Sequence, residues 1–124
     1  MTGDETEDVN FKKLFASIDA MDTESFLGFI REDGTFRFGS SPPVTGHAAI
    51  RSAVEAFFAS FAALKHDLQR VVADGNVVVC EGEVTYTRHD GSDITLPFAN
   101  VFEIDGGLIS HYRVYIDIGP LFAE

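Results

Sequence analysis

The chain has 124 residues and a formal net charge of −11, with nine Lys and Arg against twenty Asp and Glu. That length suits one domain able to bury a core without disulfides or metal, and a single cysteine, Cys80, excludes an internal disulfide framework. Such acidity repels phosphate backbones and anionic membrane surfaces alike, so neither nucleic acid nor membrane is expected as a partner.

No basic-then-apolar leader opens the sequence, and no uninterrupted apolar run approaches the roughly 18 residues of a spanning helix, so the expected compartment is the cytoplasm. Twelve Phe without one Trp point to an aromatic interior, either a dense core or the lining of an apolar pocket.

Residues 1–8, "MTGDETED", carry four acids and almost nothing apolar, and read as a flexible acidic terminus before a single domain over 9–124. Phe11, Leu14, Phe15 and Ile18 then fall at helical spacing. Asp22 is placed to cap a second helix, "TESFLGFI", which "EDG" at 32–34 should stop before a brief strand, "TFRFG". "SSPPVTG" reads as loop, because Pro42 and Pro43 remove two backbone donors. A third helix is expected over "HAAIRSAVEAFFASFAAL", with Ile50, Val54, Phe57, Phe61 and Leu64 on its apolar stripe.

After Lys65 the pattern becomes β-branched and alternating, broken by "ADGN", "HDGS" and "DGG". Asp-Gly between such runs signals hairpins, which gives four antiparallel strands near 66–73, 77–88, 93–104 and 108–117. Helices first and a meander last make an α+β domain with helices on one face of the sheet. Strand parity puts Val78, Cys80, Gly82, Val84 and Tyr86, then Ile94 to Ile104 at even numbers, then Leu108, Ser110, Tyr112 and Val114 on the inner face. A three-residue loop at Asp105–Gly107 would pair Ile104 with Leu108, and so Asn100 with Tyr112. The outer face would carry an apolar band of Val77, Val79, Ala99, Val101, Ile109 and Tyr115, the sort of surface that mates with a partner.

Asn100 is the one amide on an otherwise hydrophobic inner wall, and buried it must bond to something. Either it pairs with Tyr112 or the backbone and fixes the sheet, or it converges with Tyr112, Tyr86 and Ser110 on a small molecule. His66, at the start of its strand, could move a proton near neutrality. Asp117 could turn toward the cavity opening or pair with Arg113 on the surface. His47 should be solvated at a helix start, His89 lies at a hairpin tip and His111 on the outer face. No two histidines show metal-ligand spacing, so no metal is expected, and no phosphate loop or nucleophile elbow is present. Cys80, without a cationic neighbour, reads as an inert thiol.

The order of elements, with "TGHAAIRSAVEAFF" and "VFEIDGGLISHYRVYID", resembles the SnoaL-like branch of the nuclear transport factor 2-like superfamily over about Phe11 to Ile118. The resemblance implies a cystatin-like cone-shaped roll, three N-terminal helices packed on a curved antiparallel sheet, and homodimers formed sheet to sheet. The superfamily includes ketosteroid isomerases, epoxide hydrolases, polyketide cyclases and non-catalytic binding proteins, so the fold alone does not select an activity. Aligned by eye, the isomerase's general base falls on Phe38 and its oxyanion Tyr on Leu14, while its oxyanion Asp falls on Asn100. An amide matches the shape of a protonated carboxyl and can donate to an oxyanion, so that role could survive. The cyclases' last-strand Asp falls on Val114, leaving only the later Asp117.

The expected catalytic set is therefore Asn100, Tyr112, His66 and Asp117. The expected lining is Leu14, Phe15, Phe36, Phe38, Phe57 and Phe61 from the first half of the chain, with Cys80, Tyr86, Phe98, Phe102 and Val114 from the meander. Two readings stand side by side. One is a cofactor-independent isomerase, dehydratase or cyclase acting on a small apolar or carbonyl-containing metabolite; the other is a binding or dimeric interaction module with the same cavity and no chemistry.

Overall fold

The computed structural model describes residues 9–122; the expected flexible terminus at 1–8 lies outside them. Two short helices open the chain, α1 (Phe11–Asp19) and α2 (Thr23–Leu27). Each is capped by a side-chain oxygen that accepts a first-turn N–H: Asn10 from Lys13 at 3.0 Å and Asp22 from Ser25 at 3.2 Å. The stripe of α1 buries Leu14, Phe15 and Ile18.

The second helix stops at Leu27, earlier than its apolar pattern suggests. Ile30 instead begins β1 (Ile30–Phe38), which runs parallel to the last strand and so takes up "EDG" as well as "TFRF". The register shifts between Ile30 and Thr35, and Gly34 sits in that irregularity with its Cα against Ile30, where an added Cβ would stand 2.7 Å from the Ile30 side chain. A two-residue strand, β2 (Val44–Thr45), pairs with β1 inside what reads in sequence as loop.

Helix α3 (His47–Phe58) is shorter than its apolar spacing predicts. The segment after Phe58 turns, and β3 (Ala63–Asp74) begins three residues before its expected start, because Ala63 and Leu64 pair with Thr87 and Tyr86. Phe61 and Leu64 stay buried, but from the turn and the strand rather than from the helix. Pairing with a neighbouring strand here overrides helical propensity, a weak preference of tenths of a kcal/mol per residue. The remaining strands are β4 (Val77–Thr87), β5 (Asp93–Asp105) and β6 (Leu108–Tyr115), and a last turn, α4 (Gly119–Phe122), follows them.

The six strands form one curved, unclosed sheet in the order β2-β1-β6-β5-β4-β3, antiparallel except where β1 meets β6. The even residues of β4 and β5 face the helices as parity requires; Val78, Cys80, Val84, Tyr86, Phe98, Asn100, Phe102 and Ile104 are all buried.

The last hairpin departs from its expected register. Its loop is two residues, Gly106 and Gly107, both at positive φ (61° and 80°), with Asp105 opposite Leu108. A bulge between Glu103 and Ile104 on one side and Ile109 and His111 on the other leaves Ser110 as the extra residue. Ile109 therefore turns inward and is fully buried, and Leu108 turns out. Beyond the bulge Phe102 stands opposite Tyr112 and Asn100 opposite Val114. The expected pairing of Asn100 with Tyr112 is off by one step of two residues, and Ile109 does not belong to the outer band.

Candidate functional site

Sheet and helices enclose a cavity of about 60 Å³, lined among others by Phe26, Phe36, Phe38, Phe57, Tyr86, Phe98, Tyr112 and Val114. Such a space is small beside the several hundred Å³ of a drug-sized pocket. A second recess of about 260 Å³ opens beside it, lined by Ser41, Pro42, Val44 and Ala53 together with Phe36, Phe38, Val54 and Phe57. The four shared side chains form the partition between the two. Phe38 and Phe57 meet there with ring centroids 4.7 Å apart.

Three of the four expected catalytic residues meet at the inner cavity: Asn100, Tyr112 and His66. Asn100 projects from the middle of β5 between Cys80 on β4 and Val114 on β6, and is 3 % exposed. Its Oδ1 is buried with no hydrogen-bond partner among the described residues. Leaving such an acceptor unsatisfied costs on the order of 1–3 kcal/mol, so the fold carries this amide at a loss. The neighbours explain why: Cys80 and Val114 offer no strong donor at that level, and Tyr112 lies two residue pairs further along the ladder.

Tyr112 is held by three rings, with centroids of Phe102, Phe36 and Phe26 at 4.6, 5.1 and 5.5 Å. Burial pushes the phenols of Tyr112 and Tyr86 well above their ordinary value, so both stay protonated donors across the neutral range. Burial likewise pushes the Cys80 thiol up to about 12, which keeps it unreactive.

His66 sits on β3 with its ring between Phe15 and Phe98, centroids at 4.9 and 5.1 Å. Its Nδ1 lies 2.6 Å from Oδ1 of Asp19, and the same carboxylate accepts the His66 backbone N–H at 3.1 and 3.0 Å. Asp19 is a residue that reading the sequence alone misses. The available signal is an acid in the last turn of α1, where the helix dipole disfavours negative charge.

Asp117 is not brought to the cavity. Its Oδ1 accepts the Gly119 N–H at 3.1 Å at the start of α4, and it borders an outer groove with Glu81, Glu83 and Tyr115. Arg113 is taken by Glu103 instead. Of the expected lining, Phe36, Phe38, Phe57, Tyr86, Phe98 and Val114 border the cavity, while Leu14, Phe15, Phe61, Cys80 and Phe102 pack behind it in the core. Ile18, Val54, Phe58, Leu64, Val84 and Ile116 join the lining unannounced, since curvature rather than parity decides what reaches the centre. Ser110 is spent on the bulge, donating to the Glu103 carbonyl at 3.1 Å.

His47 is half-buried at its helix start rather than free in solvent; its Nε2 lies 2.8 Å from the Ile30 carbonyl and ties α3 to β1. His89 reaches the Ala59 carbonyl at 3.0 Å, and His111 lies beside Glu103 at 3.6 Å. Among the described residues no three His, Cys, Asp or Glu gather as a metal site, and no helix is long and apolar enough to cross a membrane.

The sequence model of the SnoaL-like domain matches residues 11–112. No curated protein matches the chain. Solved structures similar to it include TerC, co-crystallised with polyporic acid, at 17 % identity and TM-score 0.82, covering 96 % of this chain and 95 % of that one. A nuclear transport factor 2-like protein of unknown function from Burkholderia pseudomallei matches at 13 % identity and TM-score 0.84, covering 97 % and 95 %. An LEH-like epoxide hydrolase of M. tuberculosis matches at 18 % identity and TM-score 0.76, covering 94 % and 87 %. At these identities the likeness establishes the fold.

Proposed function

The chain belongs to the SnoaL-like domain family, and on that premise we propose that its inner cavity takes a small, largely apolar metabolite through an oxygen function and transfers a proton on it without a cofactor. The observation that carries this reading is the Asn100 acceptor, buried and without a partner among the described residues, in an aromatic cavity that it shares with His66. A ligand hydroxyl or enol supplies the missing donor; the amide's N–H groups suit the corresponding carbonyl. An oxygen that alternates between carbonyl and enol fits both ends of the amide, and the protonated phenols of Tyr112 and Tyr86 line the same space. An enolisable ketone or a phenolic compound is therefore the ligand class.

Phenol and benzene differ by one hydroxyl and test the reading directly. In an NMR titration, phenol should bind more tightly than benzene and shift the Asn100 side-chain amide signals. In Asn100→Leu the preference should vanish while benzene still binds. Equal affinity for the two in the wild-type protein would refute the site. A binding module without chemistry is the second reading, favoured by the apolar Leu14, Phe38 and Val114 where the resemblance puts acids, bases and donors in relatives; retention of a ligand unchanged would select it.

The quaternary part of the reading is a homodimer through the outer face of the sheet. Val72 and Tyr115 are 51 and 54 % exposed there, and the half-buried Val77, Val79, Ala99 and Val101 continue the band. Light scattering that finds only monomer at micromolar concentration would contradict it.

A further inference from the structure

Asp19 and His66 are joined at two points of the histidine, the ring Nδ1 and the backbone N–H. A carboxylate has no proton to donate near neutrality, so both contacts run one way: His66 donates and Asp19 accepts. We propose that Asp19 is a positioning residue that holds His66 as its Nδ1–H tautomer and leaves Nε2 as the base that takes a carbon-bound proton from the ligand. This rests on the cavity being the ligand site, as argued above.

Three independent features support the assignment. Asp19 stands in the last turn of α1, where its charge opposes the helix dipole, so local helix energetics do not account for its presence. The imidazole is 9 % exposed and clamped by Phe15 and Phe98, which fixes the plane of the ring. With Nδ1 engaged, Nε2 is the nitrogen left for the cavity that His66 lines together with Asn100 and Tyr112.

The chemistry balances without any co-reactant. The Nε2 lone pair takes a proton from the carbon beside a ligand carbonyl. The C–H electron pair becomes a C=C bond, the carbonyl π pair moves to oxygen, and the resulting enolate is met by the donors of Asn100 and Tyr112. The imidazolium, adjacent to the Asp19 carboxylate, then returns a proton to the same or a conjugated carbon. Nothing is oxidised or reduced, which limits the reaction to redox-neutral outcomes such as exchange, isomerisation, loss of a β-hydroxyl as water or enolate-driven ring closure.

The tautomer can be read without a ligand, from long-range ¹H–¹⁵N correlations of histidine-labelled protein at a pH where the imidazoles are neutral. The wild-type protein should show a protonated Nδ1 and a bare Nε2 for His66, and Asp19→Asn should lose or mix that pattern, since its amide can donate to Nδ1. An Nε2–H tautomer in the wild type overturns the proposal even if phenol binds; loss of phenol preference with the Nδ1–H tautomer intact overturns the ligand site instead. Deuterium uptake at the α-carbon of cyclohexanone in D₂O tests the base. His66→Gln should abolish protein-dependent uptake, and Asp19→Asn should lower it at least tenfold with phenol affinity within twofold of wild type. Uptake that is missing in the wild type, or indifferent to Asp19→Asn, overturns the base role. Should Asp19→Ala fail to fold, Asp19→Asn keeps the acceptor for the His66 backbone N–H and still reports.

Discussion

Asn100 stands opposite Val114 across the β5–β6 ladder, and its carbonyl oxygen has no donor among the described residues, the phenol of Tyr112 lying two residue pairs further on, opposite Phe102. The two-residue loop at Gly106 and Gly107 and the bulge at Ser110 each shift the register by one residue and together set that offset. Were Asn100 a structural amide, the fold would have a partner waiting for it. Its oxygen, isolated among apolar neighbours, contributes no hydrogen bond to the fold.

Replacing the amide by an isostere without polar atoms should therefore stabilise the protein. Asn100→Leu is expected to raise the unfolding free energy by about 1 kcal/mol or more, the reverse of what removing a satisfied buried polar group does. Urea denaturation checks it. A loss of stability would mean that Asn100 has a partner in solution.

The partition of Phe38 and Phe57 limits what the inner cavity admits. Phe57→Ala should join the inner space to the neighbouring recess of about 260 Å³. Naphthalen-2-ol should then gain affinity relative to phenol, and calorimetric titration of both compounds would reveal it. A ratio unchanged from wild type would show that these rings do not bound the site.

Gly82 on β4 faces the bulge of β3 between Leu68 and Arg70. A Cβ built there would stand 2.0 Å from the Asp67 carbonyl oxygen, a distance no relaxation of side chains can cure because the obstacle is backbone. Gly82→Ala should push β3 away from β4 and shift the amide signals of His66, with a stability loss of more than about 2 kcal/mol. Wild-type stability in this variant would mean that the bulge is not fixed.

Phe102 packs on Tyr112 and Phe11, centroids at 4.6 and 5.2 Å, and is fully buried. Phe102→Ala should cost about 3–5 kcal/mol. Because Phe102 lies behind the cavity wall, phenol should still bind to the folded fraction, with affinity reduced only as far as Tyr112 loosens. Chemical denaturation and the phenol titration together separate the two effects.

The pH dependence of stability has two arms. A hydrogen bond from Arg113 holds Glu103 below its ordinary value of 4.5, so its contribution is complete above that value and is lost as the pH falls through the lower folded one. Cys80 runs the other way. Its ordinary value of 9.0 rises to about 12 on folding, so the unfolded chain releases the proton first, and stability declines as the pH rises from about 9 to 12. Tyr86 and Tyr112 add to the same alkaline loss. Cys80→Ala should flatten the beginning of that decline in melts recorded against pH, and an unchanged slope would contradict a buried thiol.

Much of this architecture is already determined by the sequence. Asn10, Asp22, the Asp-Gly turns and the strict alternation along β4 and β5 are local features, acting within a few residues, so they fix α1, the meander and the inward face of Asn100 and Tyr86 wherever the chain is read. What tertiary structure decides is every relation that depends on a distant strand. Pairing with β4 draws residues 63 and 64 out of a helical pattern, and pairing with β6 does the same for Ile30. The two-residue loop exchanges Leu108 for Ile109, and the bulge at Ser110 carries the register one residue further, so that Asn100 meets a valine in place of a tyrosine. Asp19 meets His66 only because α1 lies across the start of β3, 47 residues away in the chain. Periodicity names the face a side chain takes; register and sheet curvature decide its neighbours, and the chemistry of the cavity depends on the neighbours.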